Sequence, residues 1–288
     1  LDLTRGDVSG FKRALDMKTA TLSREVDWQT KSGKTLKVHH ERFISGCTPN
    51  LSVQRMRIEC DQAVEVTVRG GIDARVTTNG FDHFQRVEIG ETADGVSCQV
   101  ITDVDDTISM ECCLSATGAD WSYGSDDRHG WQESVFGVTP EQPLVVEKRT
   151  VVTTSRNLVS ESTSNVQHPT TNAQVDSPNL DVGRWALGVG RSDLSKTRLR
   201  PEPPAAILAR LATESWDELH QQHCAYWAAQ WERADVRIEG DDEAQVIMRS
   251  SIYHLLRAHV PGDSRVAIGA KGHAGEAYKG HFFWDTEA

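Results

Sequence analysis

The chain has 288 residues, and its 42 acidic side chains outnumber its 31 basic ones, which gives a formal net charge of −11. This acidic balance, with no basic block rising above it, argues against a nucleic-acid or anionic-membrane partner. Apolar residues make up 38% of the chain, and no apolar run approaches the length of a membrane span. The composition therefore predicts an ordinary soluble globular protein.

Residues 1 to about 198 have the pattern of an all-β region. Val64, Val66 and Val68 occupy every second position of one segment, so one of its faces is apolar, as a half-buried strand requires. Similar runs predict strands at 36–44, 87–89, 97–101, 108–114, 144–153 and 184–189. Many short strands, separated by turn-forming clusters and not by helical periods, predict an antiparallel β-sandwich.

Two groups of potential metal ligands lie in this region. Asp103, Asp105 and Asp106 could supply oxygen ligands to calcium, but the glycine and terminal glutamate of a calcium-binding loop are missing. A solvated turn is the favoured interpretation. His39 and His40 are neighbours on a predicted strand, so their side chains point to opposite faces and cannot share one metal. We expect no metal site.

The cysteines are irregularly spaced and form no Cys-x-x-Cys pair, which argues against a zinc or redox site. Cys112 and Cys113 are adjacent on a predicted strand and must point to opposite faces. Buried free thiols in a reducing cytoplasm are the favoured interpretation. The six cysteines are Cys47, Cys60, Cys98, Cys112, Cys113 and Cys224.

Helical patterns begin after the proline-rich segment 200–204. A first short helix is predicted at 205–211, and a second near Ser215. The second helix carries aromatic and histidine side chains along one face; packing against a neighbouring domain is favoured over a cofactor site. These side chains are Trp216, Leu219, His220, His223, Trp227 and Trp231. A third helix is predicted from Ala244 to His259, ended by Pro261 and Gly262.

The last stretch of the chain combines aromatic and acidic residues within a glycine-punctuated segment. Sugar sites are often built this way, because an aromatic ring packs on the apolar face of a pyranose while a carboxylate accepts bonds from its hydroxyls. The residues alone also allow a buried helix start capped by Asp285 or Thr286. The candidate sugar-binding residues are His281, Phe283, Trp284, Asp285 and Glu287.

Three segments near the C-terminus form one motif: Ala270-Lys271-Gly272, Gly275-Glu276-Ala277-Tyr278 and Gly280-His281-Phe282-Phe283-Trp284-Asp285-Thr286-Glu287. This motif closely resembles the signature of glycoside hydrolase family 65, which includes maltose, trehalose and kojibiose phosphorylases and related hydrolases. The resemblance continues upstream through His223, Trp227, Trp231, 234–241, Gln245 and 253–256. It extends more loosely to 15–18 and 41–45.

The resemblance implies a mainly β fold with three parts. An antiparallel β-sandwich of the super-sandwich type (1–198) precedes a helical linker (199–238) and the truncated start of an (α/α)6 catalytic barrel (239–288). Members of the family are far longer, the first residue is Leu1, and the chain stops inside the motif. We therefore expect a fragment that lacks the general acid and is inactive in isolation.

The function implied by the resemblance is that of an inverting disaccharide phosphorylase, which cleaves an α-glucoside with inorganic phosphate to give β-glucose 1-phosphate and a sugar. A trehalase- or kojibiase-like hydrolase and a non-catalytic carbohydrate-binding fragment are the alternatives. Trp284 and Asp285 match positions that hold the non-reducing glucose, with His281, Phe283 and Glu287 as supporting groups. No catalytic residue and no cofactor besides phosphate are expected here. A cytoplasmic homodimer is implied, and the glucosidic linkage stays open.

Overall fold

The computed structural model of the chain describes residues 7–77, 80–156, 202–259 and 268. Within these residues, eleven strands precede three helices. The strands are β1 (Asp7–Asp16), β2 (Thr21–Gln29), β3 (Thr35–Ile44), β4 (Leu51–Cys60), β5 (Val64–Asp73), β6 (Phe84–Glu91), β7 (Gly95–Thr102), β8 (Thr107–Ser115), β9 (Ser122–Ser125), β10 (His129–Val138) and β11 (Leu144–Thr154). The helices are α1 (Pro204–Arg210), α2 (Trp216–Ala234) and α3 (Asp242–Ala258). The predicted mainly β fold is confirmed.

The strands form two antiparallel sheets. The large sheet has eight strands in the order β1-β2-β3-β4-β11-β8-β7-β6, and the small sheet has three in the order β5-β10-β9. Strands β1 to β4 and β6 to β8 are two meanders of sequential neighbours. Strand β11 pairs with β4 on one side and with β8 on the other, and so joins the meanders into one sheet.

A first core lies between the two sheets. Val38 and Ile58 of the large sheet share a buried cluster with Val68 and Phe136 of the small sheet. Val64 and Val66 pack against the same cluster, so the alternating valines of β5 face the core as predicted. Burial of each such side chain contributes about 1.5–3 kcal/mol, which makes this interface the main support of the sandwich.

A second core lies on the opposite face of the large sheet. There Phe43, Val53 and Val151 pack against α1 and α2 through residues that include Leu211 and Trp216. Alternate residues of a strand point to opposite faces. The large sheet is therefore a middle layer, with the small sheet on one face and the linker helices on the other.

The cysteines are free thiols, as expected. Cys112 faces the sandwich core and Cys113 packs towards α1 and α2, which confirms that the two point to opposite faces. Burial raises the pKa of the Cys112 thiol to about 11, so this thiol stays protonated and unreactive near neutral pH. The expectation of burial holds for Cys98 and Cys112; Cys60, Cys113 and Cys224 are half-buried, and Cys47 is exposed because it lies in the loop after β3.

The acidic cluster at 103–106 is the turn between β7 and β8, as the favoured interpretation predicted. Arg156 Nε donates to Asp106 Oδ1 over 2.8 Å, and His83 Nδ1 lies 2.8 Å from Asp103 Oδ2. These carboxylates are thus engaged by protein groups. Within the described ranges, no group of three or more His, Cys, Asp or Glu side chains is arranged to hold a metal ion.

The helical period predicted α3, but not the burial of its apolar residues. Val246, Ile247 and Leu255 are more than half exposed, whereas Tyr253 is buried. Tyr253 is the residue that contacts α2, with its ring 5.2 Å from that of Trp227.

No helix in the described part of the chain has the length and hydropathy needed to cross a bilayer. The strand predicted at 184–189 and the helix end at Pro261 and Gly262 lie outside the described residues.

Candidate functional site

The five candidate sugar-binding residues His281, Phe283, Trp284, Asp285 and Glu287 lie outside the residues that the structure describes. What the structure does describe is the framework that leads to them along the chain. It consists of α2, the sandwich loops against which α2 packs, and α3. We call the contact of α2 with the turn at 17–20 and the loop at 45–50 the junction.

Helix α2 begins where the sequence predicts. Ser215 Oγ accepts from the backbone N–H of Glu218 over 3.3 Å, and the Glu218 carboxylate accepts from the backbone N–H of Ser215 over 2.7 Å. This reciprocal pair satisfies two of the N–H groups that a helix start leaves open. The carboxylates of Asp217 and Glu218 also complement the positive end of the helix dipole.

The aromatic face of α2 is a packing face, which confirms the interpretation favoured over a cofactor site. Trp216, Leu219, His223 and Trp227 are all buried. At the far end of the helix, Trp231 Nε1 donates to the backbone carbonyl of Met17 over 2.8 Å. Buried indoles supply large contact areas, and this hydrogen bond fixes the position of the helix end.

The junction brings together the segments at 15–18 and 41–45, where the family resemblance was looser. His220 Nε2 lies 3.0 Å from the hydroxyl of Thr21, next to the turn at 17–20. Phe43 stacks on His223 with 4.6 Å between ring centroids. The loop that follows β3 continues the contact, where the Cys47 thiol donates to the Gln222 carbonyl over 3.2 Å. Both segments therefore serve to hold α2.

Gly46 permits the closest approach in the junction. A Cβ atom at this position would lie 2.1 Å from Cδ1 of Tyr226 on α2, far inside van der Waals contact. The backbone N–H of Gly46 donates to His223 Nδ1 over 3.2 Å. A residue without a side chain is thus required for the loop to reach the histidine.

His223 is a buried, neutral histidine. It is 0% exposed, and burial lowers its pKa to about 4. Because Nδ1 accepts from Gly46, the ring proton lies on Nε2, which is buried and has no hydrogen-bond partner within the described residues. The junction thus depends on a histidine that must remain uncharged.

We predict that the junction is weakened by acid. The folded-state pKa of His223 lies below its unfolded value, so stability is fully present above about pH 6.5 and falls as the pH drops towards 4. A difference of this size corresponds to about 3 kcal/mol. The measurement is urea unfolding of the full-length protein at several pH values, followed by tryptophan fluorescence. His223→Gln should flatten the pH dependence, whereas the exposed His254→Gln should retain it. Equal acid sensitivity in both variants would contradict the role of His223.

Arg149 on β11 holds the turn between α1 and α2. Its Nη1 donates to the Leu211 carbonyl over 2.6 Å and its Nη2 to the Glu214 carbonyl over 2.5 Å. Its side chain is only 12% exposed, and Glu147 lies 3.7 Å away as a counter-charge. The planar guanidinium donates to the two carbonyls from two separate nitrogens held at a fixed spacing, a geometry that the single ammonium nitrogen of lysine lacks. Sequence reasoning missed this residue, because it occupies an ordinary polar position in an alternating strand.

The connection from α2 to α3 is fixed by polar contacts. Arg249 binds Asp235 through two hydrogen bonds of 2.8 Å, and Gln245 donates to the Val236 carbonyl and accepts from the Ile238 N–H. Together with the Trp227 and Tyr253 rings, these contacts set the course of α3. Chemically, these contacts position other groups.

Comparison with known proteins identifies the family to which this framework belongs. Residues 1–179 match the model for the N-terminal domain of glycosyl hydrolase family 65, and residues 249–288 match the model for the central catalytic domain of the same family. The first match alone covers more than half of the chain. The chain belongs to glycosyl hydrolase family 65. All five candidate sugar-binding residues fall within the segment that matches the catalytic domain of the family.

Relatives match almost the whole chain at low identity. The kojibiose phosphorylase of Halothermothrix orenii is 26% identical over 99% of this chain and 34% of its own length. The 1,2-alpha-glucosylglycerol phosphorylase of Bacillus selenitireducens is 25% identical over 98% of this chain and 32% of its own length. The chain thus spans about a third of the length of these relatives.

A solved structure supports the fold. A candidate kojibiose phosphorylase from the human microbiome superposes with a TM-score of 0.78 at 20% identity, covering 100% of this chain and 33% of that protein. The two proteins therefore share the arrangement of sandwich and helices. The roles of residues 281–287 and the domain boundaries at 198 and 238 stay predictions.

Proposed function

We propose that the full-length protein is an inverting disaccharide phosphorylase that cleaves an α-glucoside with inorganic phosphate, giving β-glucose 1-phosphate and a sugar. The observation that supports this most is that relatives aligned over nearly the whole chain are named as phosphorylases, one of kojibiose and one of 1,2-α-glucosylglycerol. A cytoplasmic homodimer belongs to the same proposal.

The proposed chemistry needs few protein groups. A carboxylic acid protonates the departing oxygen, and phosphate attacks the anomeric carbon from the opposite face of the sugar, which inverts its configuration. A hydrolase would need a second carboxylate to activate water in place of phosphate. In this scheme Trp284 packs on the non-reducing glucose and Asp285 accepts from its hydroxyls, supported by His281, Phe283 and Glu287.

The described framework contributes orientation. Residues 281–287 follow α3 in the chain, and α3 is held to α2 by Tyr253 and Arg249, while α2 is held to the sandwich at the junction. Catalysis is sensitive to sub-ångström placement of binding groups, so a rigid support for the start of the catalytic domain has a functional value. The sandwich is thus proposed to be a scaffold for that domain.

The deciding experiment incubates the full-length protein with a panel of α-linked glucobioses and glucosylglycerol, with and without inorganic phosphate. We expect phosphate-dependent release of glucose 1-phosphate, and the substrate that reacts identifies the linkage. Glucose release that is indifferent to phosphate would instead establish the hydrolase. Sugar binding without turnover of any substrate would favour a non-catalytic carbohydrate-binding protein.

A further inference from the structure

A notch opens at the edge of the sandwich where β7 begins. The last pair between β7 and β8 is Gly95 with Cys113. Beyond it, the backbone N–H of Leu114 donates to the side-chain oxygen of Gln132 over 3.0 Å, and the Gln132 amide donates to the Asp94 carbonyl over 3.1 Å. The buried Gln132 side chain therefore links β8 to the residue before β7 at the point where the pairing of the two strands ends. A cavity of about 750 Å³ opens beside this link. We call this cavity the notch.

The walls of the notch combine apolar and aromatic side chains with polar ones. One wall is α1, whose alanines Ala205 and Ala209 present small side chains and leave the space open. On another side lie Trp121 and Tyr123. Trp121 is fixed by an edge-to-face contact with Phe136, with 5.7 Å between ring centroids. A volume of this size, bounded by preformed aromatic side chains, is typical of small-molecule sites.

The polar groups of the notch include acceptors without partners. The carboxylate of Glu111, on the helix-facing side of β8, makes no hydrogen bond or ion pair with any residue in the described part of the chain. The hydroxyl oxygen of Thr92 is buried and likewise lacks a hydrogen-bond partner within the described ranges. Because Glu111 is only half-buried and lines the notch, its carboxylate can accept from a ligand that supplies hydroxyls, whereas the Thr92 oxygen is enclosed by protein atoms.

The charged side chains that line the notch indicate which class of ligand it can bind. Its lining includes the carboxylates of Glu91, Asp94 and Glu111 and the guanidinium of Arg149. Arg149 already donates two of its five N–H groups to the carbonyls of Leu211 and Glu214. Three carboxylates against one guanidinium leave the lining net negative, which disfavours an anionic ligand. Aromatic faces beside unpaired carboxylate oxygens suit a neutral, polyhydroxylated ring.

We propose that the notch is a carbohydrate-binding site formed by the sandwich and α1, in addition to the substrate site proposed for residues 281–287. Its ligand is a neutral oligosaccharide, whose apolar ring faces pack on Trp121 and Tyr123 and whose hydroxyls donate to Glu111. The site does not take part in bond cleavage, so it does not depend on whether the enzyme is a phosphorylase or a hydrolase.

The test is hydrogen exchange of the full-length protein in phosphate-free buffer, with maltotriose as the probe and spermidine as a cationic comparison. Maltotriose should slow exchange in peptides covering 91–95, 111–123 and 205–212. Glu111→Gln should weaken the maltotriose dose response of these peptides about tenfold, because a charged acceptor is lost. Ala209→Trp, at an exposed position of α1, should abolish the response by filling the notch. The exposed Glu65→Gln on β5 is the matched control and should behave as the parent protein.

Three results would overturn the proposal: no protection of these peptides by maltotriose, protection by spermidine alone, or protection that survives both Glu111→Gln and Ala209→Trp. Unchanged turnover of the disaccharide substrate in both variants is expected and separates the notch from the proposed substrate site. Failure of maltotriose to protect peptides covering 269–288 would concern the proposed function and not the notch.

Discussion

Replacing Arg149 by alanine should release the turn between α1 and α2 from the sandwich. The change removes two hydrogen bonds from a charged donor and leaves the carbonyls of Leu211 and Glu214 without their partner. Losses of this kind cost about 3 kcal/mol in total, which corresponds to more than a hundredfold in a local opening equilibrium. Hydrogen exchange of peptides from 205–222 in the full-length protein measures the effect directly.

Two variants make the Arg149 test specific. Arg149→Lys keeps the charge but loses the planar fork, so it should fall between the parent and Arg149→Ala. Arg57→Ala removes an arginine of β4 that is 48% exposed and pairs at the surface with Glu59, and it should cost less than about 1 kcal/mol. If Arg149→Ala exchanged no faster than Arg57→Ala, the proposed role of Arg149 would be wrong.

A second large effect is expected for Asp285→Ala in the full-length enzyme. The proposed carboxylate accepts hydrogen bonds from the glucose hydroxyls, and loss of two charge-assisted bonds should lower kcat/KM about 10²–10⁴-fold. Steady-state release of glucose 1-phosphate is the measurement. The thermal unfolding midpoint should change little, because the lost contacts are to substrate.

The matched control for Asp285 is Asp242→Ala, which removes an exposed carboxylate from the first turn of α3. It should cost a few tenths of a kcal/mol in helix stability through the helix dipole and leave kcat/KM unchanged. Equal activity of Asp285→Ala and the parent enzyme would remove Asp285 from the substrate site.

The sequence predicted many of the elements whose periodicity carries a buried face, although β4 and β10, which also have one, were not individually predicted. The alternation of β5 and β8 and the aromatic stripe of α2 all point into cores, so their patterns were visible without coordinates. Strand β1 was not individually predicted, because nearly every residue from Asp7 to Asp16 is exposed and the strand has no apolar face to detect. Helix α3 shows the opposite case. The period of its apolar residues predicted a helix, but these residues are exposed, which the period could not predict.

The partners of the predicted elements could not be predicted in the same way. The aromatic face of α2 was visible in the sequence. The carbonyl that accepts from the Trp231 indole, however, belongs to Met17, which lies 214 positions away. Gly46 is one glycine among 22, and only the position of Tyr226 shows why it is needed. The notch is assembled from segments of β7, β8 and α1 that are distant in the chain, so no local pattern indicates it. The resemblance of the C-terminal motif identified the family, whereas contacts between residues this far apart in the chain could be found only from the structure.

The position of β11 has a consequence for how the protein folds. The ribosome releases the meanders β1 to β4 and β6 to β8 before β11 exists, yet β11 is the strand that lies between them. Each meander can form from short-range contacts as it emerges, but the eight-stranded sheet can close only after residue 154 has been synthesised. Closure then joins strands far apart in sequence, which is the slow kind of step in folding. Until that point the edges of β4 and β8 stay unpaired, and the nascent chain is most exposed to misassociation.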